Sequence, residues 1–258
     1  MVKVETERKE NVFIVTINRP EAHNAVDAET AVMLNDAVEV FKLDNDLRVM
    51  VLTGAGDVSF CSGADLKAAL TLIERPGSEE SGPMGFSRIT DVHKPTIAAV
   101  NGYCLAGGLE LACWCDFRIS VMTAKFGVVN RRWGVPLIDG GTQRLPRIVG
   151  LGNALYLIET GAMINAEQAW RMGLVQEIVT KGQALRRALE LAGMMSKYPW
   201  TSLVNDRRAV YEGLTLNIAD GLKREKELHQ PSIADKEMLE GLHKFIEGQR
   251  SSPPATLQ

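Results

Sequence analysis

Two stretches of this chain run from a β-branched segment through small residues into a helical pattern. The first is Leu52-Thr-Gly-Ala-Gly-Asp-Val-Ser-Phe-Cys-Ser-Gly-Ala-Asp-Leu66 and the second is Val100-Asn-Gly-Tyr-Cys-Leu-Ala-Gly-Gly-Leu-Glu110. Small residues at such a turn let a ligand approach the backbone closely. The first N–H groups of a helix have no internal partner, and the helix dipole adds positive potential there. Two such turns facing one another would offer a pair of N–H donors to a carbonyl oxygen that gains negative charge, which is an oxyanion hole. Glu110 follows Gly107 by three positions, nearly one helical turn, and so shares a face with that backbone donor. A carboxylate placed there can move a proton on the carbon beside the polarised carbonyl. Acidic residues also favour a first helical turn simply because of the dipole, so spacing alone leaves Glu110 with either role. Neither turn fits Gly-x-Gly-x-x-Gly or the P-loop pattern, and a nucleotide phosphate cradle is not supported.

These turns need strands and helices to hold them. Val12-Phe-Ile-Val-Thr-Ile17 reads as a strand that stops at Asn18-Arg19-Pro20. Asp27 is an N-cap candidate for a helix whose apolar face carries Leu34, Ala37, Val38 and Phe41. Val49–Thr53 and Thr96–Val100 read as further strands, the latter apolar throughout like a strand covered on both faces. The alternation predicts an α/β architecture with parallel pairing. Residues 74–87 (ERPGSEESGPMGFS) read as a long surface loop, either a lid or a plain excursion. From Ala184 onward the pattern is helical only, over about 184–197, 201–212, 216–229 and 233–247. The chain therefore divides near residue 182, into an α/β core over 1–182 and a helical region over 183–258 that packs on the core or on a neighbouring subunit. The closing residues SSPPATLQ are expected to fray.

Composition narrows the function. The chain has 258 residues, 45% of them apolar and 24% charged, which is ordinary globular usage. Lys plus Arg is 29 against 32 for Asp plus Glu, a formal charge of −3, so there is no basic excess for a nucleic acid. Cys61, Cys104, Cys113 and Cys115 form no Cys-x-x-Cys pair and suggest no disulfide framework. Cys113 and Cys115 read as core residues. The charged start MVKVETERKE has no apolar signal core, and no segment is apolar enough to span a membrane. The expectation is a soluble cytoplasmic protein, or one of the mitochondrial matrix if a transit peptide has been removed.

The stretch His93-Lys-Pro-Thr-Ile-Ala-Ala-Val-Asn-Gly-Tyr-Cys-Leu-Ala-Gly-Gly-Leu-Glu-Leu-Ala-Cys-Trp-Cys-Asp-Phe-Arg118 resembles the signature of the crotonase (enoyl-CoA hydratase/isomerase) superfamily. Asn18-Arg-Pro with Asn24-Ala25, Phe60-Cys-Ser-Gly-Ala-Asp-Leu66, Phe126-Gly127, Gly140-Gly-Thr-Gln-Arg-Leu145 and Ala169 to Leu174 extend the resemblance in the family's order, from about residue 3 to 250. The resemblance implies a spiral of ββα units followed by a helical trimerisation region, and a homotrimer or a hexamer built of two trimers. It implies an acyl-CoA thioester substrate, with coenzyme A as part of the substrate, no separate cofactor and no metal. It places the oxyanion donors on Ala64 and Gly107, and the CoA moiety along Arg19 to Ala22 and Ser62, Gly63, Asp65 and Leu66, with Lys67 either reaching a phosphate or solvated.

One position departs from the pattern. Hydratases of this family carry two glutamates; the first falls on Glu110, the second on Asn130. An amide can hold a water but neither gives nor takes a proton at neutral pH. Asp139 is a substitute candidate, although an Asp just before Gly-Gly-Thr-Gln-Arg-Leu is also a natural N-cap. Arg131 and Arg132 either pair with Asp139 or Glu110, receive an anionic acyl group, or lie on the surface. The expected activity is hydration of a 2-enoyl-CoA with Glu110, Asp139 and Asn130 in the site. The alternatives are an isomerase or decarboxylase that needs only Glu110, and a catalytically silent CoA-binding protein.

Overall fold

The computed structural model describes residues 2–233 and 235–249. The SSPPATLQ segment lies outside the described residues. A six-stranded sheet has the order β1-β2-β3-β5-β7-β10, and a four-stranded sheet the order β4-β6-β8-β9. In the larger sheet β1 (Val4–Lys9) pairs antiparallel with β2 (Val12–Ile17). β3 (Val49–Gly54), β5 (Thr96–Val100), β7 (Phe117–Val121) and β10 (Glu177–Val179) then continue in parallel. Every residue of β3 and β5 is buried, as their unbroken apolar runs require of strands covered on both faces.

The smaller sheet is made of three-residue strands: β4 (Ser59–Cys61), β6 (Tyr103–Leu105), β8 (Lys125–Gly127) and β9 (Met163–Asn165). β4, β6 and β8 run parallel, with Cys61 opposite Cys104 and Cys104 opposite Phe126. The chain thus gives one strand to each sheet in turn before entering a turn or helix, which is the ββα spiral. Because β4, β6 and β8 are parallel neighbours, the turns that follow them emerge side by side. Ala64 is three residues beyond Cys61, Gly107 three beyond Cys104, and Asn130 four beyond Phe126. Topology alone therefore brings these positions to one edge.

Helices close the core. α1 (Ala28–Leu43) is capped by Asp27, whose Oδ1 accepts from Thr30 N at 2.9 Å and Thr30 Oγ1 at 2.7 Å. Lys3 Nζ donates to its other oxygen at 2.7 Å and so ties the start of β1 to the helix. α2 (Ala69–Ile73) and α3 (Ser78–Ser81) follow β4, and α4 (Gly107–Trp114) follows β6. α5 (Gly141–Val149), α6 (Leu151–Thr160) and α7 (Ala166–Arg171) complete the α/β part. α8 (Ala184–Met195) packs on β3, β5 and β7, while α9 (Trp200–Gly213) pairs with α10 (Ile218–Ile233), and α11 (Lys236–Ile246) follows. The helices sit where the apolar spacing predicts them, and the strand signal ends at β10. Among the described residues no helix is long and apolar enough to cross a membrane.

One strand is not foreshadowed by its sequence, and one expectation changes. β1 is a strand although its sequence VETERK buries only Val4; pairing with β2, not an apolar face, fixes it. Residues 74–87 are a surface segment only in their first half, where Glu74, Pro76, Gly77, Glu79 and Glu80 are exposed; residues 81–87 are all buried. Arg75 holds the segment down from inside, donating to Ser81 Oγ at 2.8 Å and Gly82 O at 2.9 Å, and Phe86 packs edge-on against Trp114.

Burial works against the Asp27 carboxylate, but the bonds from Lys3 and Thr30 prevail and hold it down at about 2. Its stabilisation is therefore complete above the ordinary carboxyl range and lost as pH falls through about 2. Replacing Asp27 by Ala should lower stability at neutral pH by about 0.5–2 kcal/mol, the usual worth of an N-cap, measured by denaturant unfolding. An unchanged midpoint would remove the cap from the forces that hold α1.

Candidate active site

A cavity of about 520 Å³ opens at the edge where β4, β6 and β8 end. Ala64, Gly107, Glu110, Asn130 and Asp139 all line it, together with Ser62, Asp65, Leu66 and Lys67. Pro83 and Met84 close one wall, and Trp133, 74% exposed, stands at the rim.

The two backbone turns touch. A Cβ added to Gly63, whose φ is +103°, would lie 3.0 Å from the Gly107 nitrogen. Val26 bridges to the first turn by donating to Gly63 O at 2.9 Å and accepting from Asp65 N at 2.8 Å. In a parallel bridge that pattern turns the N–H of the intervening residue, Ala64, to the opposite side. Gly107 is the first residue of α4, so its N–H has no intrahelical partner. Ala106 before it takes φ 50° and ψ −125°, a conformation an L-residue rarely adopts, and this sharp turn sets the direction of the helix entry. Among the described residues neither the Ala64 nor the Gly107 N–H donates to a protein acceptor.

α4 must approach β4 closely for this to happen. A Cβ on Gly108 would sit 2.1 Å from the Cys61 carbonyl oxygen, so only glycine allows the contact. The other end of α4 is held by Arg118, which is 2% exposed. Its guanidinium donates to Ala112 O at 3.2 Å and Cys115 O at 3.0 Å, and reaches Leu174 O at 2.5 Å and Gln176 Oε1 at 3.1 Å. A cation at a helix C-terminus is favourably placed.

Glu110 is 4% exposed. Its Oε1 accepts from Asp139 N at 3.0 Å and Gly141 N at 2.7 Å. Burial pushes its carboxyl up to about 7; the two amides pull it down and the neighbouring Asp139 pushes it further up. Asp139, also 4% exposed, does not cap α5: the cap residue is Gly140, and no side chain fills that role. The Asp139 carboxylate turns instead to the 82–88 segment, where Oδ1 accepts from Met84 N at 3.0 Å and from Ser87 Oγ. Burial raises its pKa against these bonds.

Asn130 Nδ2 donates to Val135 O at 2.8 Å, which fixes the orientation of the amide. Its Oδ1 is buried and has no partner among the described residues. Arg131 and Arg132 do not enter the cavity. Arg131 Nε points to Ile158 O at 3.4 Å and Arg132 Nη2 to Gly161 O at 2.9 Å, both at the C-terminal end of α6. Arg19 and Ala22 also lie outside the lining. Arg19 bonds Ala25 O at 2.6 Å and Asp65 Oδ2 at 3.0 Å and braces the 62–66 turn from behind. Sequence reasoning passed over Met84 and Ser87 because their segment reads as polar loop; the apolar Met84 and Phe86 inside it were the available signal. The four cysteines are free and buried.

The cavity thus gathers two unpaired N–H donors, two buried carboxylates with raised pKa values and one acceptor amide oxygen. Such a set can polarise a carbonyl and move protons at the adjacent carbons. Replacing Gly108 by Ala should drive α4 away from Cys61 and abolish activity while the chain still folds. Circular dichroism together with a turnover assay checks this, and full activity would show that the close approach is not needed.

Comparison with known proteins identifies the family. The family described as enoyl-CoA hydratase/isomerase matches residues 7–252. Crotonyl-CoA hydratase of Syntrophomonas wolfei is 36% identical over 249 residues, 95% of each chain. The short-chain-enoyl-CoA hydratase of Clostridium acetobutylicum is 34% identical over 93% of each chain. The crystal structure of an enoyl-CoA hydratase from Mycobacterium marinum superposes with a TM-score of 0.90 at 32% identity, covering 99% of this chain and 98% of that one.

Proposed function

The chain belongs to the enoyl-CoA hydratase/isomerase family, and from that footing we propose that it adds water to a 2-enoyl-CoA thioester. The observation that carries the reading is the pair of free N–H groups on Ala64 and Gly107 beside the buried Glu110.

The thioester oxygen accepts from both N–H groups, so electron density pushed from the double bond is stabilised as an enolate. Glu110, ionised at the upper side of its pKa, takes a proton from water as the water oxygen bonds to C3. Asn130 Oδ1 accepts the second water hydrogen and holds the attacking oxygen in place. C2 then needs a proton. Burial raises the Asp139 pKa and so makes its acid form easier to reach, and Asp139 relays the proton from the oxygen not engaged by Met84 and Ser87. Proton return from Glu110 to Asp139 resets the site. Asp139 thereby fills the role left open by the amide at position 130. Ser62, Asp65, Leu66 and Lys67 border the CoA entry, with Arg19 bracing their turn. No separate cofactor takes part, and the helical region from α8 onward supplies the contacts for a trimer or a pair of trimers. The decarboxylase reading loses its motive, because Arg131 and Arg132 face α6 rather than the acyl site.

Crotonyl-CoA hydration, followed by loss of enoyl absorbance, tests the reaction directly. Absence of turnover over a range of acyl lengths would overturn it. Glu110→Gln should cost roughly 10²–10⁴ in kcat. A base is active when deprotonated, so kcat/KM should rise with pH through about 7 as Glu110 ionises. Asp139→Asn should lower the rate while leaving that rise with pH in place. A profile that is flat across neutral pH would exclude Glu110 as the base.

A further inference from the structure

Ser87 is fully buried, and it stands outside the lining of the active-site cavity that Asp139 borders. Its hydroxyl makes one bond among the described residues, donating to Asp139 Oδ1 from behind. The surrounding segment holds that hydroxyl in place. Phe86 before it packs edge-on against Trp114, with ring centroids 4.8 Å apart. Arg88 N after it donates to Ser81 O at 3.1 Å. Gly82 leaves the space: a Cβ there would collide with Ser87 Oγ and lie 2.9 Å from Asp139 Oδ1, and its φ of +88° suits glycine alone. Arg75 fixes Gly82 in turn, donating to its carbonyl at 2.9 Å.

The consequence concerns the two carboxyl oxygens of Asp139. Oδ1 faces two donors, Met84 N at 3.0 Å and the Ser87 hydroxyl, while Oδ2 accepts from no group among the described residues. A proton on Oδ1 would need Ser87 to accept instead of donate. The serine proton has no other acceptor among the described residues, so that reversal would leave it unpaired in a buried place, which is costly. The acid proton therefore belongs on Oδ2. We propose that Ser87 is a positioning residue for the hydration: its bond to Oδ1 confines the transferable proton of Asp139 to the oxygen free to face C2. The inference rests on the reaction proposed above. In that step the Oδ2–H bond breaks as the enolate electron pair forms the C2–H bond, and the carboxylate left behind keeps both donors on Oδ1.

A double-mutant cycle on crotonyl-CoA hydration, run with the full chain in its native assembly, tests the assignment. Ser87→Ala should lower kcat about 10–100-fold, the scale of a misplaced reacting group, and leave KM within about twofold. In an Asp139→Asn background no acid proton remains to be placed, and the same substitution should change kcat less than about twofold. Should Ser87→Ala fail to fold by circular dichroism, Ser87→Cys fills the space with a weaker donor and should lower kcat in the same way. An unchanged kcat, a loss carried by KM, or an equal loss in both backgrounds would overturn the proposal and leave the hydration standing. Failure of both variants to fold would assign Ser87 to the fold alone and overturn it as well. A wild-type chain that does not hydrate crotonyl-CoA, or a full rate in Asp139→Asn, would overturn the underlying reading and this proposal with it.

Discussion

The parallel pairing of three very short strands governs the rest of the structure. β4, β6 and β8 contribute three residues each, far too few to be stable alone. They are held because each continues from a long, fully buried strand or turn of the larger sheet. Parallel neighbours release their following residues on the same edge. That one constraint sets Ala64 beside Gly107 and brings Asn130 next to both. The close contact of Gly108 with Cys61 then turns a shared edge into a defined pair of donors.

Glu110 links this edge to the remainder of the site. A helix N-terminus has unsatisfied N–H groups, and at α5 no side chain of the adjoining loop fills them. Glu110 fills part of that role from another helix, through Gly141 N and Asp139 N. The same bonds fix its carboxylate in the cavity. Asp139 in turn holds the 82–88 wall through Met84 and Ser87. The Glu110 carboxylate, loop backbone and cavity wall are thus one connected set of hydrogen bonds. A buried network of this kind is rigid when its members are satisfied.

Much of this was legible in the sequence, and for identifiable reasons. β2, β3 and β5 announce themselves as continuous apolar runs, and Asp27 as a cap, because those features are local. The glycine turns and Glu110 are local too. What sequence could not show is which distant group meets which. Asp139 can be read as the cap of its own helix, yet its carboxylate is drawn to an amide and a hydroxyl more than 50 residues earlier. Residues 74–87 read as polar surface, since nothing nearby reveals that Arg75 is bonded inward. Arg131 and Arg132 sit directly after Asn130 in sequence, but the tight turn over Val129–Trp133 sends them to α6. β1 has no apolar alternation at all and exists through its pairing.

The buried Arg118 has a consequence for how the molecule is made. It grips the end of α4 on one side and the Leu174 carbonyl and Gln176 side chain on the other, nearly 60 residues apart in the chain. α4 has only eight residues, too few to be stable alone, and during synthesis its anchor cannot close until residue 176 has emerged. Contacts of such sequence separation are made late because the intervening loop must first be ordered. A nascent chain truncated before that point carries both donor turns and Glu110 without the brace that orients them, so competence arrives only near the end of translation of the α/β part.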